Sequence, residues 1–264
     1  METIGFIGTG NMAKAIICGM LKSKEKFNII GYDLNKNNYP YLKELNVKLC
    51  DSLKEVVNEA KYVVLAVKPQ NYVDVLNEMK DLTLNDSVLI SIAAGIDEKF
   101  VSSFLKLDVK FIQVMPNTPI ILGCGAIAIC KGNFVENLEF DFAKKIFSLC
   151  GEVCVLDANL MNYVIPINGS SPAFIYYFAK GFLNFAENNN IEKEKALKLF
   201  CNSLIGSAKM MLNSNKDVDE LIKEVTSKKG TTEKGLEALK QNDFLKILEK
   251  TCEETAKRAF ELSK

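Results

Sequence analysis

Residues 8–13 read G-T-G-N-M-A, directly after a short apolar stretch at residues 3–8 (TIGFIG) and at the opening of a segment with helical spacing. That placement suits a phosphate cradle. Gly8 permits a tight turn, Gly10 lets backbone approach a pyrophosphate, and the small Ala13 allows close helix–strand packing. The amides of a helix start and its positive dipole end then hold the phosphates, which adds Thr9, Asn11 and Met12 to the candidate lining. A glycine turn used only for packing is the competing reading, and the motif alone is a weak signal. The strand before it, the helix after it and Asp33, twenty residues past Ala13 and behind a second strand, make a dinucleotide site the stronger one. A carboxylate on the ribose hydroxyls favours NADH, since it repels the 2′-phosphate of NADPH. Lys36 can offset that repulsion, although a solvated loop lysine is its plainer reading.

Three further segments fall where a doubly wound sheet binds ligands, outside the carboxyl ends of its strands. They are Ala66-Val67-Lys68-Pro69-Gln70, Ala93-Ala94-Gly95 and Met115-Pro116-Asn117-Thr118-Pro119. Small residues and prolines let rigid backbone approach a flat ring, so Ala66, Val67, Lys68, Pro69, Ala93, Ala94, Gly95 and Asn117 are candidate cofactor contacts. Each segment alone also reads as an ordinary turn. The chain contains no histidine. That excludes Ser-His-Asp and Cys-His catalysis, a histidine proton shuttle and histidine-ligated zinc. No metal site is expected; the chemistry falls to carboxylates, lysine, hydroxyls, backbone groups or a cofactor.

The elements that must position these residues alternate. Strands are expected at residues 3–8, 27–32, 61–67 and 87–93, then at 110–114, 126–130 and 152–155. Helical stretches fall near 11–21, 41–45, 52–60, 72–79, 98–105 and 136–149. Such alternation implies a parallel sheet covered on both faces, an α/β Rossmann-type doubly wound fold. From about Asp157 no convincing strand appears. Residues 160–186 are apolar almost all round, a helix that must be covered from several sides, and 194–212 is a cleaner amphipathic helix. Two or three shorter helices are expected to finish the chain. The expected division is a dinucleotide-binding domain over 1–157 and an all-helical domain over 158–264.

Bulk composition narrows the class. The 264 residues are 48% hydrophobic, enough for a substantial core, and 33 basic against 33 acidic residues leave no basic footprint for nucleic acid or an anionic membrane surface. No apolar run is long enough to span a bilayer, and the amino terminus lacks the basic region of a signal peptide. Eight scattered cysteines without C-x-x-C spacing read as free thiols in a reducing cytoplasm.

Taken in order, the run GFIGTGNM, AVKPQ, SIAAG, MPNTP, NGSSPAF, NSLIGSAKM and VTSKKGTT resembles the pyrroline-5-carboxylate reductase family over essentially the whole chain. The resemblance implies a cytoplasmic oxidoreductase of proline biosynthesis. It would reduce the cyclic imine 1-pyrroline-5-carboxylate to L-proline with NADPH or NADH, using a Rossmann domain and a helical domain that forms a homodimer. Dimers can assemble further; neither nucleic acid nor membrane is an expected partner. In the family the substrate carboxylate is held by amides and hydroxyls of an S-x-G-G-T-T loop, which places Ser227, Gly230, Thr231 and Thr232 at the imino acid, with Thr232 as the catalytic contact.

The chain departs from the family at three places. Gln113 stands where the family has arginine, Asn168-Gly169-Ser170-Ser171 replaces S-G-S-G, and Lys229 replaces one loop glycine. The chemistry suits a histidine-free protein, because a protonated cyclic imine is already electrophilic and positioning supplies much of the rate. Two other readings remain. A hydroxyacid dehydrogenase needs a lysine early in the first helix of the second domain, where Lys180 lies well past the start. A non-enzymatic dinucleotide-binding regulator is motivated by Gln113 and Lys229.

Overall fold

The computed structural model describes residues 2–84 and 86–262. They form two compact units, residues 2–172 with 254–262, and residues 173–253.

The first unit is built on an eight-stranded sheet of order β3-β2-β1-β4-β5-β6-β7-β8. The strands are β1 (Thr3–Ile7), β2 (Asn28–Tyr32), β3 (Lys48–Leu49), β4 (Tyr62–Leu65), β5 (Val88–Ser91), β6 (Lys110–Met115), β7 (Gly125–Lys131) and β8 (Gly151–Val155). The helices α1 (Asn11–Lys22), α2 (Tyr39–Glu44), α3 (Leu53–Glu59), α4 (Tyr72–Met79), α5 (Glu98–Leu105) and α6 (Asn137–Ser148) connect most of them. Side chains alternate between two cores. Tyr62, Val64, Val88 and Ile90 pack with Ile16, Met20 and Phe147 of α1 and α6, while Val63, Leu65 and Leu89 pack with Val56, Leu76 and Val101 of α3, α4 and α5. Strands buried on both faces are why β4 and β5 read as near-continuous apolar runs. The strand order reverses between β1 and β4, whose carboxyl ends flank the glycine turn at residues 8–10.

The sheet is not wholly parallel: β7 runs antiparallel to β6 and parallel to β8. Residues 116–124 hold only the short 3-10 turn Thr118–Leu122, too little for the crossover a parallel neighbour needs. The two-residue β3 was not expected; it is too short to carry a periodic signal.

The second unit contains most of α7 (Ser171–Asn188), then α8 (Lys193–Asn213), α9 (Val218–Glu224), α10 (Thr231–Gln241) and the first part of α11 (Phe244–Leu262). The expected helix over 160–186 is wrong in its first eleven residues, 160–170, which form turns. Asn168-Gly169 favours a turn there, and Pro172 lies at the second helical position, where its missing N–H costs nothing. The final helix has 19 residues and is long, not short. Phe178 stacks with Phe182, Phe200 and Phe244 at centroid distances of 5.1–6.2 Å. Much else stays open: Tyr177 is 79% exposed, Phe185 66%, and α8 has no buried residue.

Candidate active site

The glycine turn has the geometry of a phosphate cradle. Gly8 has φ +92°, and a Cβ there would lie 2.8 Å from the carbonyl oxygen of Ala66, so glycine is required twice over. Gly10 differs. It caps α1 at φ −68°, and a Cβ would meet nothing within 4 Å. No side chain caps α1, so the first amides of the helix, from Asn11, Met12 and Ala13, have no side-chain acceptor. Open space in front of unpaired amides at a helix start fits a pyrophosphate. Ala13 is 1% exposed and packs into the core, as a small residue at that position should.

Asp33 and Thr9 close the turn from the β2 side. Oδ2 of Asp33 accepts from the Thr9 amide at 2.6 Å and from the Thr9 hydroxyl at 3.1 Å, and Oδ1 accepts from the Asn35 amide at 2.8 Å. A carboxylate has about four acceptor positions, so Oδ1 keeps one unused by these three bonds. Asn38 adds a brace: its Nδ2 donates to the carbonyl of Thr9 at 2.9 Å, and Lys14 Nζ donates to its Oδ1 at 3.2 Å. Lys36 is exposed, its ammonium 6.0 Å from the Tyr39 ring centre.

The rim continues across the sheet. Ala66 and Val67 are half-buried and Lys68 is exposed at the end of β4; Pro69 then starts a 3-10 turn leading into α4. Beneath them the hydroxyl of Tyr72, fully buried, donates to the Leu65 carbonyl at 2.9 Å and meets Ser91 Oγ at 2.7 Å. Ser91 Oγ also accepts from the Ala93 amide at 3.3 Å, so one hydroxyl pair ties the ends of β4 and β5 together. Burial holds the Tyr72 phenol far above its ordinary range, and it stays protonated. Ala93 is buried and Ala94 half-buried. Gly95, at φ +78°, faces the end of α11: a Cβ would lie 3.0 Å from the Ala259 carbonyl oxygen, so packing accounts for this glycine. Asn117 is 7% exposed, and its Oδ1 accepts from the Ala126 amide at 2.9 Å.

Ser227, Gly230, Thr231 and Thr232 lie together in the second unit, at the start of α10. Gly230 is the N-cap, and its amide donates to the Ser227 carbonyl at 2.9 Å; a side chain at 230 would collide with Ser227. Thr231 and Thr232 are exposed on the first turn of a helix without a side-chain cap. Lys229 adopts φ +60°, the left-handed conformation that a glycine takes freely. Its amide donates to Glu233 Oε2 at 2.7 Å, and this bond helps to hold the conformation.

Gln113 lies away from the strand ends. It is 5% exposed on β6 opposite Cys130, facing a separate cavity of about 510 Å³ that Asp97, Glu98 and Lys131 also line. The sequence assigns Tyr72, Ser91 and Asn38 no role, because the backbone and side-chain groups they bond are brought near only by the fold. Asn168 stood out as a departure, without a function attached.

Known proteins share this fold over nearly the whole chain. Residues 158–262 match the family model described as pyrroline-5-carboxylate reductase dimerisation, and residues 3–95 match one described as NADP oxidoreductase, coenzyme F420-dependent. Pyrroline-5-carboxylate reductase 2 of Bacillus subtilis is 30% identical over 99% of this chain and 95% of that protein. The pyrroline-5-carboxylate reductase of Staphylococcus haemolyticus is 31% identical over 98% and 97%. Among solved structures, the Plasmodium falciparum pyrroline carboxylate reductase with NADP bound superposes with a TM-score of 0.90 at 26% identity, covering 100% of this chain and 98% of that one. The Coxiella burnetii pyrroline-5-carboxylate reductase gives 0.89 at 28%, covering 100% and 99%.

Proposed function

The chain belongs to the pyrroline-5-carboxylate reductase family, and from that premise we propose that it reduces 1-pyrroline-5-carboxylate to L-proline with NADPH or NADH. The reaction is an oxidoreduction at a C=N bond. The observation that carries the cofactor half is the open space before Gly10 at the uncapped start of α1. The bound dinucleotide supplies the hydride. The chain supplies its seat: amides of residues 10–13 for the pyrophosphate, Asp33 for the ribose, and the rim residues Ala66–Pro69, Ala93, Ala94 and Asn117 beyond.

For the imino acid we assign the loop before α10. The amides of Gly230 and Thr231 and the Ser227 hydroxyl hold the carboxylate at a helix N-terminus, where a negative charge is stabilised. The Thr232 hydroxyl orients the ring nitrogen or the carboxylate. A protonated imine needs no further acid to accept hydride, and the product amine settles its proton with water. No step calls for histidine; holding two reactants in register is enough to supply much of the rate.

The functional division we propose assigns 1–157 to the dinucleotide and 158–264 to substrate and dimerisation, supported by the dimerisation-model match over 158–262. A homodimer through the helical unit is supported by the exposed aromatic residues of α7, Tyr176, Tyr177 and Phe185. Among the described residues no helix is long and apolar enough to cross a membrane, and all eight cysteines are free; the second fact supports a reducing cytoplasm. Steady-state kinetics with pyrroline-5-carboxylate and each dinucleotide test the assignment. Turnover with proline as product is the expected result, and dinucleotide binding without turnover would favour a regulator instead.

A further inference from the structure

We infer that Asn168 is a positioning residue, whose side-chain amide clamps the carbonyls of Met115 and Ala126 and so fixes the turn that forms the far end of the cofactor rim. Nδ2 of Asn168 donates to the Met115 carbonyl at 2.7 Å and to the Ala126 carbonyl at 3.1 Å. Two carbonyl acceptors settle which amide atom is the nitrogen, since the oxygen would be repelled by both.

The clamp stands where backbone pairing gives out. The β6–β7 ladder ends at Met115 opposite Ala128. Two residues further in that register Asn117 stands opposite Ala126, yet no backbone bond joins them; their link is the bond from the Ala126 amide to Asn117 Oδ1, at 2.9 Å. The carbonyl of the same Ala126 goes to Asn168. Two asparagine side chains therefore continue the ladder past the point where the chain turns into Pro116 and the 3-10 segment Thr118–Leu122. A strand end held this way keeps its geometry without backbone pairing.

A purely space-filling role explains Asn168 poorly. The residue is 6% exposed, and its Oδ1 is buried without a hydrogen-bond partner. An unsatisfied buried acceptor is costly, and an apolar side chain of similar size would avoid the cost. What asparagine offers at this position is two donors on one atom. A serine, the residue the family resemblance leads one to expect here, has one donor and can serve one carbonyl at a time.

The inference rests on the reading that the dinucleotide lies along this rim, with its nicotinamide toward β6. If so, loosening the turn displaces the reacting ring and leaves the phosphates, held at Gly8–Ala13, alone. The test compares Asn168→Leu with Asn168→Ser, using thermal unfolding to confirm the fold. Asn168→Ser keeps one bond and is the variant to rely on should the leucine protein not fold. The expected split is an NADPH Kd within about threefold of wild type and a hydride-transfer rate lowered by roughly tenfold, with a smaller loss for serine than for leucine. The fluorescence lifetime of bound NADPH, read without any imino acid, should shorten in both variants. This second readout separates the clamp from the assigned reaction: a wild-type protein that binds NADPH but does not turn over pyrroline-5-carboxylate refutes the reaction and leaves the lifetime to decide the clamp. An unchanged lifetime in a folded variant, or a rate loss matched by an equal loss of NADPH affinity, would overturn it.

Discussion

The backbone amide of Thr9 donates to Oδ2 of Asp33 across 2.6 Å, so the acidic residue proposed for the ribose also builds the glycine turn. This dual duty changes what substitution at Asp33 should do. Asp33→Asn keeps an oxygen for the Thr9 amide, removes the charge, and gives up the acceptor of the Asn35 amide. Two unit charges several ångströms apart in a half-exposed site interact by about 1–2 kcal/mol, so the ratio of kcat/KM for NADPH over NADH should rise roughly tenfold. An unchanged ratio would mean that the carboxylate does not face the 2′ position. Asp33→Ser shortens the side chain as well, and should lower affinity for both dinucleotides.

Gly8 and Gly10 should separate fold from function. At Gly8 an alanine meets both the positive φ and the Ala66 carbonyl, and should destabilise the protein by at least ~1–2 kcal/mol. Gly10→Val enters open space at an ordinary φ, so the melting temperature should hold while dinucleotide affinity drops. Fluorescence titration beside thermal melts checks the pair; a Gly10→Val protein that binds normally would remove the pyrophosphate from this turn.

Much of this site was legible in the sequence because its parts are local. Gly8, Gly10, Ala13 and Asp33 announce themselves by spacing, and the near-continuous apolar runs of β4 and β5 betray a sheet buried on both faces. The rest depends on partners distant in sequence. Tyr72 reads as one more apolar residue of α4 until Leu65 and Ser91 are seen to bracket its hydroxyl. Asn168 lies 53 residues from Met115, and no periodicity links them. The false helix over 160–170 rests on hydrophobicity alone, which does not distinguish apolar turns packed on a sheet from a helix. Met161 and Ile165 are such turn residues, buried against Met115 and Ala128.

Glu139 should make the first unit acid-sensitive. It is buried on α6, with Lys61 at 2.9 Å and Lys110 at 2.8 Å, and accepts from the Glu136 amide at 3.0 Å. Burial pushes its carboxyl up, but bonds from Lys110, Lys61 and the Glu136 amide outweigh that and hold it below the ordinary range. A depressed folded value means the stabilisation is complete above the unfolded carboxylate range and is lost as pH falls through the folded one. Glu139→Gln should therefore cost about 2–3 kcal/mol at neutral pH, and less as the buffer is acidified past the carboxylate range. Urea unfolding at both pH values measures the difference; an equal loss at each would argue against the charge.

The thiols should react in two classes. Burial pushes Cys50, Cys130 and Cys150 up to about 11, leaving almost no thiolate at neutral pH, whereas Cys124 and Cys154 are exposed. Alkylation of the native protein followed by peptide mass mapping should label Cys124 and Cys154 first and the three buried thiols last. Early labelling of Cys150 would show that α1 and β8 separate readily, since Cys150 Sγ lies under α1 against the Ile16 carbonyl at 3.7 Å.

The loop proposed for the imino acid offers the decisive test of the catalytic half. Thr232 lies on the exposed first turn of α10, behind the N-cap Gly230. Thr232→Ala removes one hydroxyl, and a lost hydrogen bond to a charged group costs roughly 1.5–3 kcal/mol. That corresponds to about a tenfold to hundredfold loss in kcat/KM for the imino acid, with dinucleotide affinity unchanged because the first unit supplies it. Lys229 provides the matching control on charge. Its left-handed backbone is one that glycine adopts without strain, so Lys229→Gly should keep the loop and alter stability by less than ~1 kcal/mol. If the ammonium assists the carboxylate, KM for the imino acid rises in Lys229→Gly while kcat holds; if it is only a solvated loop charge, neither moves. Wild-type efficiency in Thr232→Ala, with cofactor binding intact, would mean that the imine is held by other residues and that the loop at Ser227–Thr232 serves the fold alone.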